Sequence, residues 1–387
     1  MPNKKQPDYN NSCVTPIYQN TVYFFQDTEQ VIKYHESEIN VGRYGRYDNP
    51  NWLEVERKIA ALDDYEDALV FSSGMSAIVT TVLTFIQPRS RLIFTGNCYR
   101  NIRNFFNSIL SKLAIEVISI NSADIQSFNE EFEHQYQEEN TQIIFVEAPS
   151  NPHLYLVDLE TLKNKIGKNT LLIVDSTLST PFNFKPQHFG ADLVIHSCSK
   201  YIGGHGDIVA GSVAGSEQLI KEIRNYRNMI GGIVAPHCAF LLNRSLETFE
   251  IRMKYFNQAG MEVAQYLQDS PLVTKVLYPG LESHPHFYLA NKYLTGYGGL
   301  ISFEIAGDRE TTSQFVDSLK VPFMGTNFGS SHPMVEQCSI FTYYKLSTEE
   351  RQELEITDNL VRLSVGYGDT RILIEDIDQA LRNSCQV

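Results

Sequence analysis

The sequence predicts an α/β protein organised around a mostly parallel β-sheet, with a smaller α+β unit at its C-terminal end. Three observations carry this. Apolar runs at residues 91–94, 143–147, 171–175 and 191–195 read as buried strands, each separated from the next by helix-length stretches. Such alternation gives parallel strands with helices over both faces. Residue types suited to chemistry gather just beyond these runs, where ligands sit on parallel sheets. Past about residue 250 the strand signals move to residues 276–280 and 299–303, after a long helical stretch expected from Gly231 to about Gln268.

In chain order, residues up to about 60 are turn-rich and aromatic, as in Tyr44-Gly45-Arg46-Tyr47. Such a segment cannot bury a core alone and must pack on something. Residues 52–62 have helical spacing, with Leu53, Val55, Ile59, Ala60 and Leu62 apolar. Residues 68–71 read as a strand running into Ser72-Ser73-Gly74-Met75 and a helix start. Free amides at a helix N-terminus suit a phosphate, so the amides of Gly74 and Met75 are candidates; a plain serine N-cap fits the same letters. Neither a GxGxxG turn nor a P-loop lysine pattern follows, which disfavours a nicotinamide or nucleotide-phosphate reading.

At 387 residues, the chain is long enough for a large core and more than one domain. A formal net charge of −14 argues against nucleic acid or an anionic membrane as partner. The six cysteines form no CxxC pair, so they are expected as reduced thiols rather than zinc ligands. No apolar run reaches membrane-spanning length, and Met1-Pro2-Asn3-Lys4-Lys5-Gln6 lacks a signal-peptide core; a cytoplasmic location is expected.

The stretch most suited to chemistry is Ser197-Cys198-Ser199-Lys200-Tyr201, just past the run at 191–195. A lysine held from water has a lowered pKa and serves as nucleophile or base. Ser197 and Ser199 are placed to hold a phosphate, and the glycines that follow allow close approach. Pyridoxal 5'-phosphate, an aldehyde carrying a phosphate, uses all of these. An exposed loop lysine also fits. Asp175 ends the run 171–175. A buried carboxylate needs a cation or donors, and the pyridinium of that cofactor needs an acid; capping of the turn at Ser176-Thr177 is the alternative.

Val174-Asp175-Ser176-Thr177 followed by Ser197-Cys198-Ser199-Lys200-Tyr201 resembles the Cys/Met-metabolism family of pyridoxal-phosphate enzymes. That family includes cystathionine γ-synthases, cystathionine γ- and β-lyases, methionine γ-lyases and O-acylhomoserine sulfhydrylases. The resemblance runs from about Pro16 to about Leu381. It implies a fold-type-I enzyme with a seven-stranded-type sheet, divided into an arm (1–60) that contacts a neighbouring subunit, a large cofactor domain (61–250) and a small domain (251–387). It further implies a homodimer or homotetramer. In this likeness Lys200 carries the cofactor, Asp175 meets its ring nitrogen, and Asn151 its ring hydroxyl. Tyr99 stacks on the ring and assists as acid or base, with Tyr44 a second candidate. Gly74, Met75, Ser197, Ser199 and, from a neighbour, Tyr44 and Arg46 hold the phosphate. Arg362, inside the apolar run 360–365, binds the substrate α-carboxylate through its planar fork, with a structural ion pair as the alternative.

Three stretches depart from the family. Gly366-Tyr367-Gly368-Asp369 stands where the family usually has Gly-x-Glu-Asp, which loses an acid but leaves Arg362 intact. Arg100 follows Tyr99 where most relatives have glycine, and points either at the ring or to solvent. Residues 323–333, including Asn327, Phe328 and Ser330, replace a Gly-Gly-Val-Glu-Ser loop. Phe328 falls near the missing Glu, so a less acidic pocket is expected there, one less suited to a substrate with a distal ammonium. Ser330 is the candidate replacement for the family serine. The resemblance therefore implies γ-elimination or γ-replacement on a small amino acid with a γ leaving group, as in trans-sulfuration. A β-lyase, or an inactive protein that only binds the cofactor, are the other readings.

Overall fold

The computed structural model describes residues 12–36 and 42–385. Residues 1–11 and 37–41, part of the segment expected as an arm, lie outside the described residues, as do 386–387.

Seven strands form the larger sheet: β1 (Asp67–Phe71), β2 (Arg91–Thr95), β3 (Glu116–Ile120), β4 (Thr141–Glu147), β5 (Leu171–Asp175), β6 (Leu193–His196) and β7 (Gly211–Gly215). Their order is β1-β7-β6-β5-β4-β2-β3. The four expected runs are β2, β4, β5 and β6, and they pair in parallel together with β3. Their near-continuous Leu, Ile, Val and Phe content suits burial on both faces. The antiparallel strand β7 lies between β6 and β1 and pairs antiparallel with both. Two reversals restore direction, so Phe71 leaves the sheet at the same edge as Thr95, Glu147, Asp175 and His196. The candidate motifs that follow β1, β2, β4, β5 and β6 therefore open onto one edge.

The helix Gly74–Phe85 follows β1 and is capped by Ser73, whose hydroxyl accepts from Ser76 N at 3.0 Å. The helical stretch expected from Gly231 to Gln268 is instead broken. Gly231, at φ 87°, ends the helix Glu217–Ile230. Separate helices then run Pro236–Leu246 and Phe249–Asp269. A proline fits only at a helix start, and Pro236 fills that place.

The second sheet contains β8 (Val273–Leu277), β9 (Leu300–Ile305), β10 (Phe323–Met324), β11 (Met334–Gln337) and β12 (Leu360–Ser364), in the order β10-β11-β12-β9-β8. All its pairings are antiparallel except β10 with β11. Helices Phe249–Asp269 and Arg309–Ser318 pack against it, and Thr370–Ser384 packs on both of these helices. One apolar cluster joins both sheets, from Trp52 and Tyr201 to Phe256, Ile301 and Leu363. Tyr201, the neighbour of Lys200, is buried in it and its hydroxyl accepts from Gly299 N at 3.0 Å. Burying such a ring contributes about 2 kcal/mol, which anchors the lysine loop to the second sheet.

Candidate active site

A cavity of about 400 Å³ opens where the edge of the first sheet meets the second. Lys200, Asp175, Gly74, Met75, Ser197, Ser199, Tyr99, Arg100, Asn151, Phe328 and Arg362 all line it.

The floor is built from strand ends. Asp175 closes β5, and its Oδ1 accepts from the backbone and hydroxyl of Thr177 at 3.0 and 2.6 Å. The same hydroxyl accepts from Ser197 N at 2.8 Å, tying the end of β5 to the end of β6. Asp175 Oδ2 has no hydrogen-bond or ion-pair partner among the described residues. Glu147 lies beside Asp175 in register on β4. Its carboxylate accepts from Tyr99 N at 2.7 Å and Asn151 N at 2.9 Å, and so holds the two turns that carry those residues. Burial pushes both carboxyls above their usual range, and for Glu147 the neighbouring Asp175 adds to the effect. Two acids buried side by side call for a cation between or above them.

Lys200 sits on the turn after β6. Its Nζ donates to Asn327 Oδ1 at 2.6 Å and stands 4.6 Å from the centre of the Phe328 ring. Burial, and then repulsion from Arg362, lower its pKa to about 8, against an opposing pull from Glu336. The turn is held by Arg252, which donates to the carbonyls of Tyr201, Ile202 and Ser245. Gly204 has φ 74°, a backbone that L side chains rarely adopt, and a Cβ there would strike Arg252. At the start of the helix Gly74–Phe85, a Cβ on Gly74 would come within 2.9 Å of Ser197 Cβ, so only glycine brings the helix start this close.

The roof comes from the second sheet and from the start of the helix Arg100–Ser108, which follows β2. Arg362, on β12, donates to Asn151 Oδ1 at 2.9 Å and Thr326 O at 2.8 Å, and pairs with Glu336 at 3.0 Å. Its guanidinium lies 5.8 Å from the same Phe328 ring that Lys200 faces. Arg100 is drawn inward rather than to solvent: Nη1 donates to Thr342 O at 2.7 Å. The Tyr99 hydroxyl accepts from Asn101 Nδ2 at 3.0 Å.

Some expected residues lie elsewhere. Asn327 does not line the cavity but reaches Lys200. Ser330 is buried beside Gly206, away from the cavity lining, because the loop turns after Phe328. Tyr44 and Arg46 are not in the lining; Arg46 rests over Tyr44 and Tyr47 and donates to Asn228 O. Phe328 lines the cavity as expected in place of an acid, while Glu336 pairs with Arg362 from behind it. Glu147, Thr177, Glu336 and Thr342 carried no role in the sequence reading. A signal existed for Glu147, which ends its apolar run as Asp175 does.

The model of the Cys/Met metabolism PLP-dependent enzyme family matches residues 2–382. The chain belongs to that family. Among similar proteins, cystathionine γ-synthase 1, chloroplastic, of Arabidopsis thaliana is 41% identical over 96% of this chain and 65% of that protein. The chain thus spans just under two thirds of that relative. An L-methionine γ-lyase of Fusobacterium nucleatum is 34% identical over 95% of this chain and 92% of its own length. A solved cystathionine γ-synthase from Xanthomonas oryzae pv. oryzae, in complex with cystathionine, superposes with a TM-score of 0.90 at 27% identity, covering 98% and 95% of the two chains. The fold is thus that of the fold-type-I enzymes. The cavity fits the cofactor that the family name specifies: an amine of lowered pKa, a buried carboxylate with a free oxygen, and a glycine-tight helix start lie around one space.

Proposed function

We propose that this family member eliminates or replaces the γ-substituent of a small amino acid, with pyridoxal phosphate held by Lys200. The observation that carries the proposal is the pairing of Lys200 and Arg362 over one Phe328 ring, above buried Asp175. The relatives named are γ-synthases and γ-lyases, so the β-elimination and inactive-binder readings are set aside.

Lys200 would join the aldehyde, Asp175 would meet the ring nitrogen, and Asn151 the ring hydroxyl. Gly74 and Met75 amides with Ser197 and Ser199 would hold the phosphate. When bound, the cofactor supplies the electron sink for a carbanion next to the amino group. Arg362 takes the substrate α-carboxylate by charge-assisted hydrogen bonds, and its contacts to Asn151 and Thr326 fix its fork. Once the substrate's amino group has taken its place on the cofactor, the freed Lys200 amine would remove the Cα proton and relay a second proton from Cβ. The Tyr99 hydroxyl is the acid for the departing group. Phe328 covers the amine on one side. Arg100 faces the distal end, which favours a neutral or anionic leaving group over an ammonium.

Tyr44 and Arg46 act on the cavity of a second copy, in a dimer or a pair of dimers. Supporting this, Val209 on the cavity rim and Met229 beside the Arg46 contact are 65% and 71% exposed. We also propose a cytoplasmic location; no helix among the described residues is long and apolar enough to cross a membrane. The deciding experiment is a panel of homoserine esters, cystathionine, methionine and cysteine, with and without added thiol. Release of 2-oxo acid or a new thioether from a γ-substituted substrate is expected. Turnover confined to cysteine, or none with the cofactor bound, would refute the reading.

A further inference from the structure

Glu336 and Arg362 stand directly opposite one another on antiparallel strands β11 and β12. Cross-strand partners are the closest neighbours a sheet offers. Their contact is 3.0 Å, with side chains only 1% and 5% exposed. The other Glu336 oxygen, Oε2, accepts from the Thr342 hydroxyl at 2.9 Å. The Thr342 carbonyl in turn accepts from Arg100 Nη1 at 2.7 Å. One chain of polar contacts therefore runs Arg362–Glu336–Thr342–Arg100. It begins on the second sheet and ends on the helix Arg100–Ser108, which starts directly after Tyr99. Arg100 and Arg362 line the cavity, whereas Glu336 lies behind it.

We propose that Glu336 is a positioning residue that holds these two cations as one unit, so that recognition of the α-carboxylate and of the substrate's distal end are coupled. This rests on the reading of Arg362 as the carboxylate site. A buried guanidinium without a counter-charge is costly and finds other arrangements. Glu336 supplies that charge from behind, leaving the cavity side of Arg362 to the substrate. Through Thr342 the same carboxylate orients the carbonyl on which Arg100 rests. Its pull on Lys200 opposes the repulsion from Arg362, which keeps the amine from losing its proton too readily.

The test uses holoenzyme and two probes. L-Alanine has the α-carboxylate and no leaving group; its Kd is read from the cofactor absorbance. The best γ-substituted substrate from the panel gives kcat/KM. Glu336→Ala is expected to raise the L-alanine Kd about 10-fold or more, Glu336→Gln, which keeps the shape but not the charge, to raise it nearly as much, and Glu336→Asp, which keeps the charge, to recover part of the loss. Thr342→Val is expected to leave the L-alanine Kd within about twofold while lowering kcat/KM five- to tenfold, roughly the loss of one hydrogen bond. Arg100→Ala added to Thr342→Val is expected to cost less than about twofold more, because both break one chain. Wild-type L-alanine binding in Glu336→Ala, or Thr342→Val and Arg100→Ala effects that multiply, would overturn the proposal. If Glu336→Ala does not fold, the Thr342–Arg100 cycle decides alone. An Arg362→Gln enzyme that binds L-alanine normally would instead refute the carboxylate reading on which the proposal rests.

Discussion

The floor and roof of the cavity are built differently. The floor consists of the ends of parallel strands β1, β4, β5 and β6, so its side chains are fixed by the backbone ladder itself. Asp175, Glu147 and Ser197 each lie within one residue of a strand end, and hydrogen bonds to backbone amides lock them. The roof joins an antiparallel strand, a loop and one side-chain network: Arg362, Thr326 to Phe328, and Glu336. On the proposed roles, the difference teaches that the cofactor's partners sit where geometry is hardest to change. The groups proposed to meet the substrate sit where a loop can be replaced without disturbing the sheet.

Breaking the floor should cost most. Lys200→Ala removes both the attachment point and the base, and kcat should fall by about 10⁴-fold or more. Borohydride treatment of the wild type followed by peptide mapping should find the adduct on Lys200; an adduct elsewhere would end this account. Asp175→Asn removes the acid expected at the ring nitrogen. It should lower kcat by about 10²- to 10³-fold with cofactor still bound, as checked by kinetics alongside absorbance. Full activity in that variant would break the distinction between floor and roof.

Roof changes should act on binding. Arg362→Gln should raise KM about 100-fold, the cost of roughly 3 kcal/mol in a charge-assisted contact, with the cofactor spectrum unchanged. Arg100→Ala should change the relative kcat/KM of anionic and cationic distal groups about 10-fold and leave L-alanine binding alone.

The smallest effect reads the floor by pH. Lys200 titrates near 8 because burial and Arg362 favour the neutral amine. Only the neutral form attacks an aldehyde, so cofactor capture by the cofactor-free protein should rise about tenfold from pH 7 to pH 9 and then level off. An ordinary lysine, at about 10.4, would keep accelerating through that range. Continued acceleration above pH 9 would show that the amine is not held from water.

The floor was largely legible in the sequence because a parallel strand is a short apolar run, and a polar residue ending it is conspicuous. The runs at 91–94, 143–147, 171–175 and 191–195 became β2, β4, β5 and β6. By contrast β3, with the run Glu116–Ile120 only partly buried, and the glycine- and serine-bearing β7 gave no such signal. The unbroken helix expected after Gly231 failed because periodicity carries across Glu247 and Thr248, while the backbone does not.

Strand ends, the lysine turn and the isolated arginine at 362 were determined by the sequence itself, since local apolar runs and the polar residues that interrupt them are visible in one dimension. The tertiary structure alone decided that Glu336 faces Arg362, that Arg100 turns inward to Thr342, and that Ser330 turns away. Each depends on register between strands distant in sequence or on where a loop folds, and no local pattern of residues encodes either.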